Sequence, residues 1–175
     1  MKKALFVVPI ILFLAGCGSE VEQIKSGTMD FNKTITLGQA LDNWKSCEKR
    51  DWEQFETDNG IKVVQFSCQH KISKFLNKTI SQLAQEEQDQ TDHLDISSNV
   101  QTFQFTINQD DTFQIDNVQV RTTWADGTFF EDSQEPLEQL KTAYANELNF
   151  DPKKLDESGA AQISHLFSLI KTRAN

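Results

Sequence analysis

The period of apolar and polar positions changes several times along this chain of 175 residues, and each change marks an element. An apolar stretch from Ala4 to Leu14 follows the basic pair Lys2 and Lys3. It is shorter than the roughly 20 helical residues needed to cross a bilayer core, so residues 1–16 read as an export signal and stand outside fold reasoning. The polar residues 17–25 read as a tether. In "TITLGQALDNW", Leu37, Ala40, Leu41 and Trp44 then share one helical face. Thr36 ahead of them and Gln39 among them form a capping box, which predicts a short amphipathic helix.

The period shortens to two in "DWEQFETDNGIKVVQFSCQ", where Val64, Phe66 and Cys68 alternate. Asn59-Gly60 supplies the positive backbone angles of a tight turn, so a hairpin is expected. Trp52 and Phe55 have opposite parity in its first strand. Either a bulge reunites them or both faces are covered. Ile72, Phe75, Leu76, Ile80 and Leu83 return to helical spacing, predicting a helix over about Ser73 to Glu87 followed by an acidic loop.

A second β region follows. Phe103, Phe105 and Ile107 alternate, residues 108–111 read as a turn, Phe113 and Ile115 alternate again, and Asp126-Gly127 marks another hairpin. Gln104, Thr106, Gln114 and Asp116 occupy the opposite parity, so one face of this three-stranded meander is expected to meet solvent. Leu137, Leu140 and Tyr144 predict a helix opening at Pro136. Ile163, Leu166, Phe167 and Ile170 predict a last one after Asp151-Pro152. The expected fold is α+β: an antiparallel sheet of about five strands, a hairpin plus a meander, with helices packed on one face. Residues 26–175 then form a single domain.

At the end of the leader, Leu14-Ala15-Gly16-Cys17 resembles the lipobox of bacterial lipoprotein precursors. The resemblance implies that Cys17 is acylated with diacylglycerol, that cleavage follows Gly16, and that the lipid anchors the protein to a membrane. Each buried methylene contributes about 0.8 kcal/mol, so two or three chains hold firmly. Gly18 stands where an aspartate would imply retention in the inner membrane, and the implied address is the outer membrane, facing the periplasm. The segments "SGTMDFNKTITLGQALDNW" and "WEQFETDNGIKVVQFSC" also resemble a module of small bacterial lipoproteins and exported proteins that carries no assigned activity.

With Cys17 acylated, Cys47 and Cys68 remain. In an oxidising compartment they are expected to form a disulfide; two buried free thiols are the other reading. No metal is expected, because His70 is the only histidine near them and three ligands leave a tetrahedral zinc site short.

Composition narrows the partners. The formal net charge is −9, with 17 Lys and Arg against 26 Asp and Glu, and loss of the leader removes two further positive charges. Such a chain repels phosphate backbones, so nucleic acid is not an expected partner. Candidate chemistry is sparse. His70, His93 and His165 fall in separate elements, and Asp110, Asp111, Glu86 and Glu87 lack the spacing of a calcium loop. No cofactor motif appears, and the chain reads as a non-enzyme. Among 13 phenylalanines and three tryptophans, most are expected to be core. The "WADGTFF" tip, with Trp124, Phe129 and Phe130, is the best candidate for a presented binding surface.

The expected function is a lipid-anchored, non-catalytic component of the cell envelope that binds or assembles with an envelope protein. An inhibitor or exclusion lipoprotein directed at a basic enzyme or transfer apparatus is the alternative, and an enzyme whose site assembles only in three dimensions is the third reading.

Overall fold

Three short loops of one design build the sheet. In a computed structural model, which describes residues 19–71, 96–148 and 171–174, the chain runs α1 (Ser19–Ser26), α2 (Leu37–Asp42), β1 (Cys47–Glu56), β2 (Lys62–His70), β3 (Ile96–Ile107), β4 (Phe113–Trp124), β5 (Phe129–Gln134) and α3 (Pro136–Tyr144). The five strands lie in sequence order, and every neighbouring pair is antiparallel. This is a mixed α+β fold.

In each hairpin the residue before the loop accepts from the third loop residue, and its own amide donates across the loop's end. The pairs are Gly60 N to Thr57 O at 2.8 Å and Thr57 N to Ile61 O at 2.9 Å, with equivalents at Asn108–Thr112 and Trp124–Thr128. The third residue is left-handed in all three: Gly60 (φ 77°), Asp111 (φ 63°) and Gly127 (φ 85°). This is a type I turn closed by a bulge, so only Gly60 of the Asn59-Gly60 pair takes the positive angle expected of both. Asp111 is the strained member. Asp111→Gly should therefore stabilise the protein by about 0.5–1 kcal/mol. Gly127→Ala, where an added Cβ meets nothing within 4 Å, should cost about 1 kcal/mol from backbone conformation alone. Urea denaturation checks both signs.

The capping box forms as expected: Thr36 Oγ1 accepts from Gln39 N at 3.2 Å, and Gln39 Oε1 accepts from Thr36 N at 3.0 Å. Leu37, Ala40, Leu41 and Trp44 are all buried. Leu37, Leu41 and Trp44 share a core with Val64, Phe66, Cys68, Phe103, Phe105 and Val118 from the strands and with Leu140 and Ala143 of α3. At the end of α3, Asn146 turns left-handed (φ 51°) and its side chain accepts from Lys45 N at 2.8 Å. That contact ties the helix to the chain leaving α2.

Two expectations fail here. Residues 19–25, assigned to the tether, belong to α1. Glu20 and Glu22 in its first turn and Lys25 in its last suit the helix dipole, and Ile24 is fully buried in the core. Neither option for Trp52 and Phe55 holds either. Register is regular from Lys49 to Glu56, Trp52 packs on Phe66 and Phe105, and Phe55 stays on the other side, 42 % exposed. The expected helices over Ser73–Glu87 and around Ile163–Ile170 lie outside the described residues, as do Cys17, His93 and His165.

Candidate functional site

Among the described residues, polar side chains converge in three places. The first is buried at the end of the sheet remote from the Gly60 loop. Parity carries His70 inward after Val64, Phe66 and Cys68, and carries Gln101 inward ahead of Phe103 and Phe105. His70 Nε2 lies 2.9 Å from Gln101 Oε1, and Gln101 Nε2 donates to Gln139 Oε1 at 3.1 Å. Because the glutamine amide is committed to Gln139, its oxygen accepts from Nε2. Nδ1 is then left to accept from the Ser46 hydroxyl, 2.9 Å away.

A serine hydroxyl on a neutral imidazole is the pairing that activates nucleophiles. Here it is sealed: Ser46 is 5 % and His70 3 % exposed, the Trp44 ring stands edge-on to the imidazole at 5.2 Å, and Cys68 Sγ is 3.7 Å from Nδ1. Cys68 is joined to Cys47 in the expected disulfide. The network therefore works as a polar clasp in the core.

Burial pushes the His70 pKa below the ordinary value, and the Gln101 side chain and the Ser46 backbone, which favour the charged ring, oppose this only in part. The unfolded chain takes up a proton near pH 6.5 where the folded chain does not. Stability should thus fall as pH drops below about 6.5, by up to about 1.4 kcal/mol per pH unit, until the folded pKa is passed. Urea midpoints at pH 7.5, 6.5 and 5.5 check this; His70→Gln should flatten the profile, and an unchanged slope would exclude His70 as its source.

The second place is the sheet face bearing Glu53, Gln65, Gln104 and Asn117, which are register partners across four strands. Each amide donates toward β1: Asn117 to Gln104 at 3.4 Å, Gln104 to Gln65 at 2.8 Å, and Gln65 to Glu53 at 2.6 Å. Phe55 lies beyond this row. At the β1–β2 edge a recess of about 150 Å³ is lined by Glu20, Gln54, Phe55, Glu56, Lys62 and Val63, with Lys62 Nζ 2.8 Å from Glu20 Oε1.

The third is the "WADGTFF" tip, and the structure divides its aromatics. Trp124 is 1 % exposed, so it is not presented as expected. Its ring is covered by Lys171 Nζ, 4.8 Å from the centroid. Phe130 pairs with buried Thr122, and Phe129 pairs with Thr123 on the opposite parity. There the Arg121 guanidinium lies 4.2 Å over the Phe129 ring and Arg121 Nε meets Glu131 at 2.5 Å. Only Phe129 of the three points away from the buried side.

Beside Trp124, Asp126 Oδ1 accepts from Thr128 N at 3.0 Å and Thr128 Oγ1 at 2.7 Å. Asp126 Oδ2 accepts from Lys171 Nζ at 2.6 Å, and Lys171 also bonds Thr128 Oγ1. Lys171 first and Thr128 second hold the Asp126 carboxyl well below the usual carboxylate range. Sequence reading missed Lys171 because nothing local links it to a turn 45 positions away.

Among the described residues, no three His, Cys, Asp or Glu side chains gather to hold a metal ion, and no helix is long and apolar enough to cross a membrane. Comparison with protein-family models, curated proteins and solved structures finds no match for this chain.

Proposed function

We propose that the chain is exported, acylated at Cys17 and held at the outer membrane facing the periplasm, where its folded part acts by binding an envelope protein and not by catalysis. The observation that carries this reading is the Cys47–Cys68 disulfide. Such bridges persist in exported proteins and are rare where thiols are kept reduced, which agrees with the leader and the lipobox-like Leu14–Cys17. In this reading the helices gather on one face of the sheet, and the Gln65–Gln104–Asn117 face stays open for contact. The sealed setting of Ser46 and His70 favours binding over chemistry.

The test is Cys17→Ser. Acyl labelling should vanish and the protein should leave the membrane fraction; retained labelling would remove the anchor from the reading. Cross-linked capture from detergent-solubilised envelope should return a stoichiometric envelope protein. The net charge of −9 favours a second reading, an inhibitor of a basic protein. Recovery of a basic exogenous protein in the same experiment would select it.

A further inference from the structure

Given the binding role proposed above, we infer that the β4–β5 hairpin tip is an ammonium-binding site, filled in this structure by the chain's own Lys171, and that its ligand in trans is a lysine side chain of a basic protein. Three groups define it. The Trp124 ring lies 4.8 Å from Lys171 Nζ, Asp126 Oδ2 is 2.6 Å away, and the Thr128 hydroxyl completes the set. An aromatic face beside a carboxylate is the surrounding that an alkylammonium prefers.

The turn itself does not require the lysine. The β3–β4 loop repeats the same Asp-x-Thr arrangement, with Asp110 Oδ1 accepting from Thr112 N at 3.1 Å and Thr112 Oγ1 at 2.6 Å. Among the described residues, no lysine ion-pairs with Asp110. The contact at Asp126 is therefore an addition to the turn. Asp126 is exposed at the tip, whereas Trp124 is 1 % and the Lys171 side chain 12 % exposed, so an incoming ammonium reaches the ring only by displacing Lys171 from it. A lysine-bearing partner also suits the net charge of −9.

An internal occupant lowers the apparent affinity for an external one by the fraction of sites it fills. Hexalysine is a suitable probe, titrated by calorimetry into the full chain in detergent. Lys171→Met keeps the apolar stem and removes the charge, and it should bind hexalysine about tenfold more tightly than wild type. Lys141→Met, which alters the net charge equally on α3, should stay within about twofold of wild type. Adding Asp126→Asn to Lys171→Met should abolish the gain.

Equal binding by Lys171→Met and Lys141→Met, or a gain that survives Asp126→Asn, would overturn the site. Should Lys171→Met fail to fold, the rate of Lys171 acetylation in wild type decides. Saturating hexalysine should raise it several-fold, and no change refutes the inference. Capture of an envelope partner by wild type, together with no gain in Lys171→Met, would discard the site and leave the binding role intact.

Discussion

Trp44→Ala should lower the unfolding free energy by about 4 kcal/mol, the range for truncating a large buried aromatic. Trp44 is fully buried, with its ring edge-on to His70 at 5.2 Å and to Phe103 at 5.9 Å. Its Nε1 donates to Glu147 O at 2.7 Å, and its carbonyl accepts from Arg50 at 2.5 Å. One side chain therefore joins the end of α2, the His70 clasp and the chain leaving α3. The truncated variant should be unfolded at urea concentrations that leave wild type native. Trp44→Phe, which keeps most of the packing and loses the indole N–H, should lose less than half as much. A loss below about 1.5 kcal/mol for Trp44→Ala would mean that the surrounding side chains close over the space.

Replacing both Cys47 and Cys68 with alanine should remove about 3 kcal/mol, because the bridge restricts the unfolded chain over a separation of 21 residues. For a domain of this size that corresponds to a fall in Tm of about 6–12 °C. The two cysteines are 2 % and 0 % exposed, so a reductant should reach the wild-type bridge at the rate at which the protein opens. Thermal unfolding of the double variant, with alkylation of wild type under reductant, checks both parts. Stability within 1 kcal/mol of wild type would show that the bridge adds little beyond the β1–β2 pairing.

The elements that were legible in the sequence are those whose signals are local. The Thr36–Gln39 box, the Asn59-Gly60 and Asp126-Gly127 turns, and the alternation of Phe103 with Phe105 each state their structure within a few residues. Helix α1 was illegible because "SEVEQIKS" shows only Val21 and Ile24 as apolar, too few to establish a period, and its burial depends on strands far along the chain. Trp124 was misplaced for a related reason: a tryptophan beside a turn looks presented until a distant lysine is known to cover it. The His70–Gln101 clasp had a signal that went unused. Both residues continue an inward parity that their apolar neighbours establish, and a polar residue at such a position needs a buried partner.

The order of the strands has a consequence for how the molecule assembles. Pairings β1–β2, β3–β4 and β4–β5 each close across a loop of three residues and can zip from the turn outward. The β2–β3 pairing has no such shortcut, since Lys62–Gln69 must find Val100–Ile107 across the intervening chain. Among the described strands, that encounter carries the larger loop-closure entropy. Refolding speed should therefore respond to the length of the connection between His70 and Ile96 far more than to changes within the three hairpins.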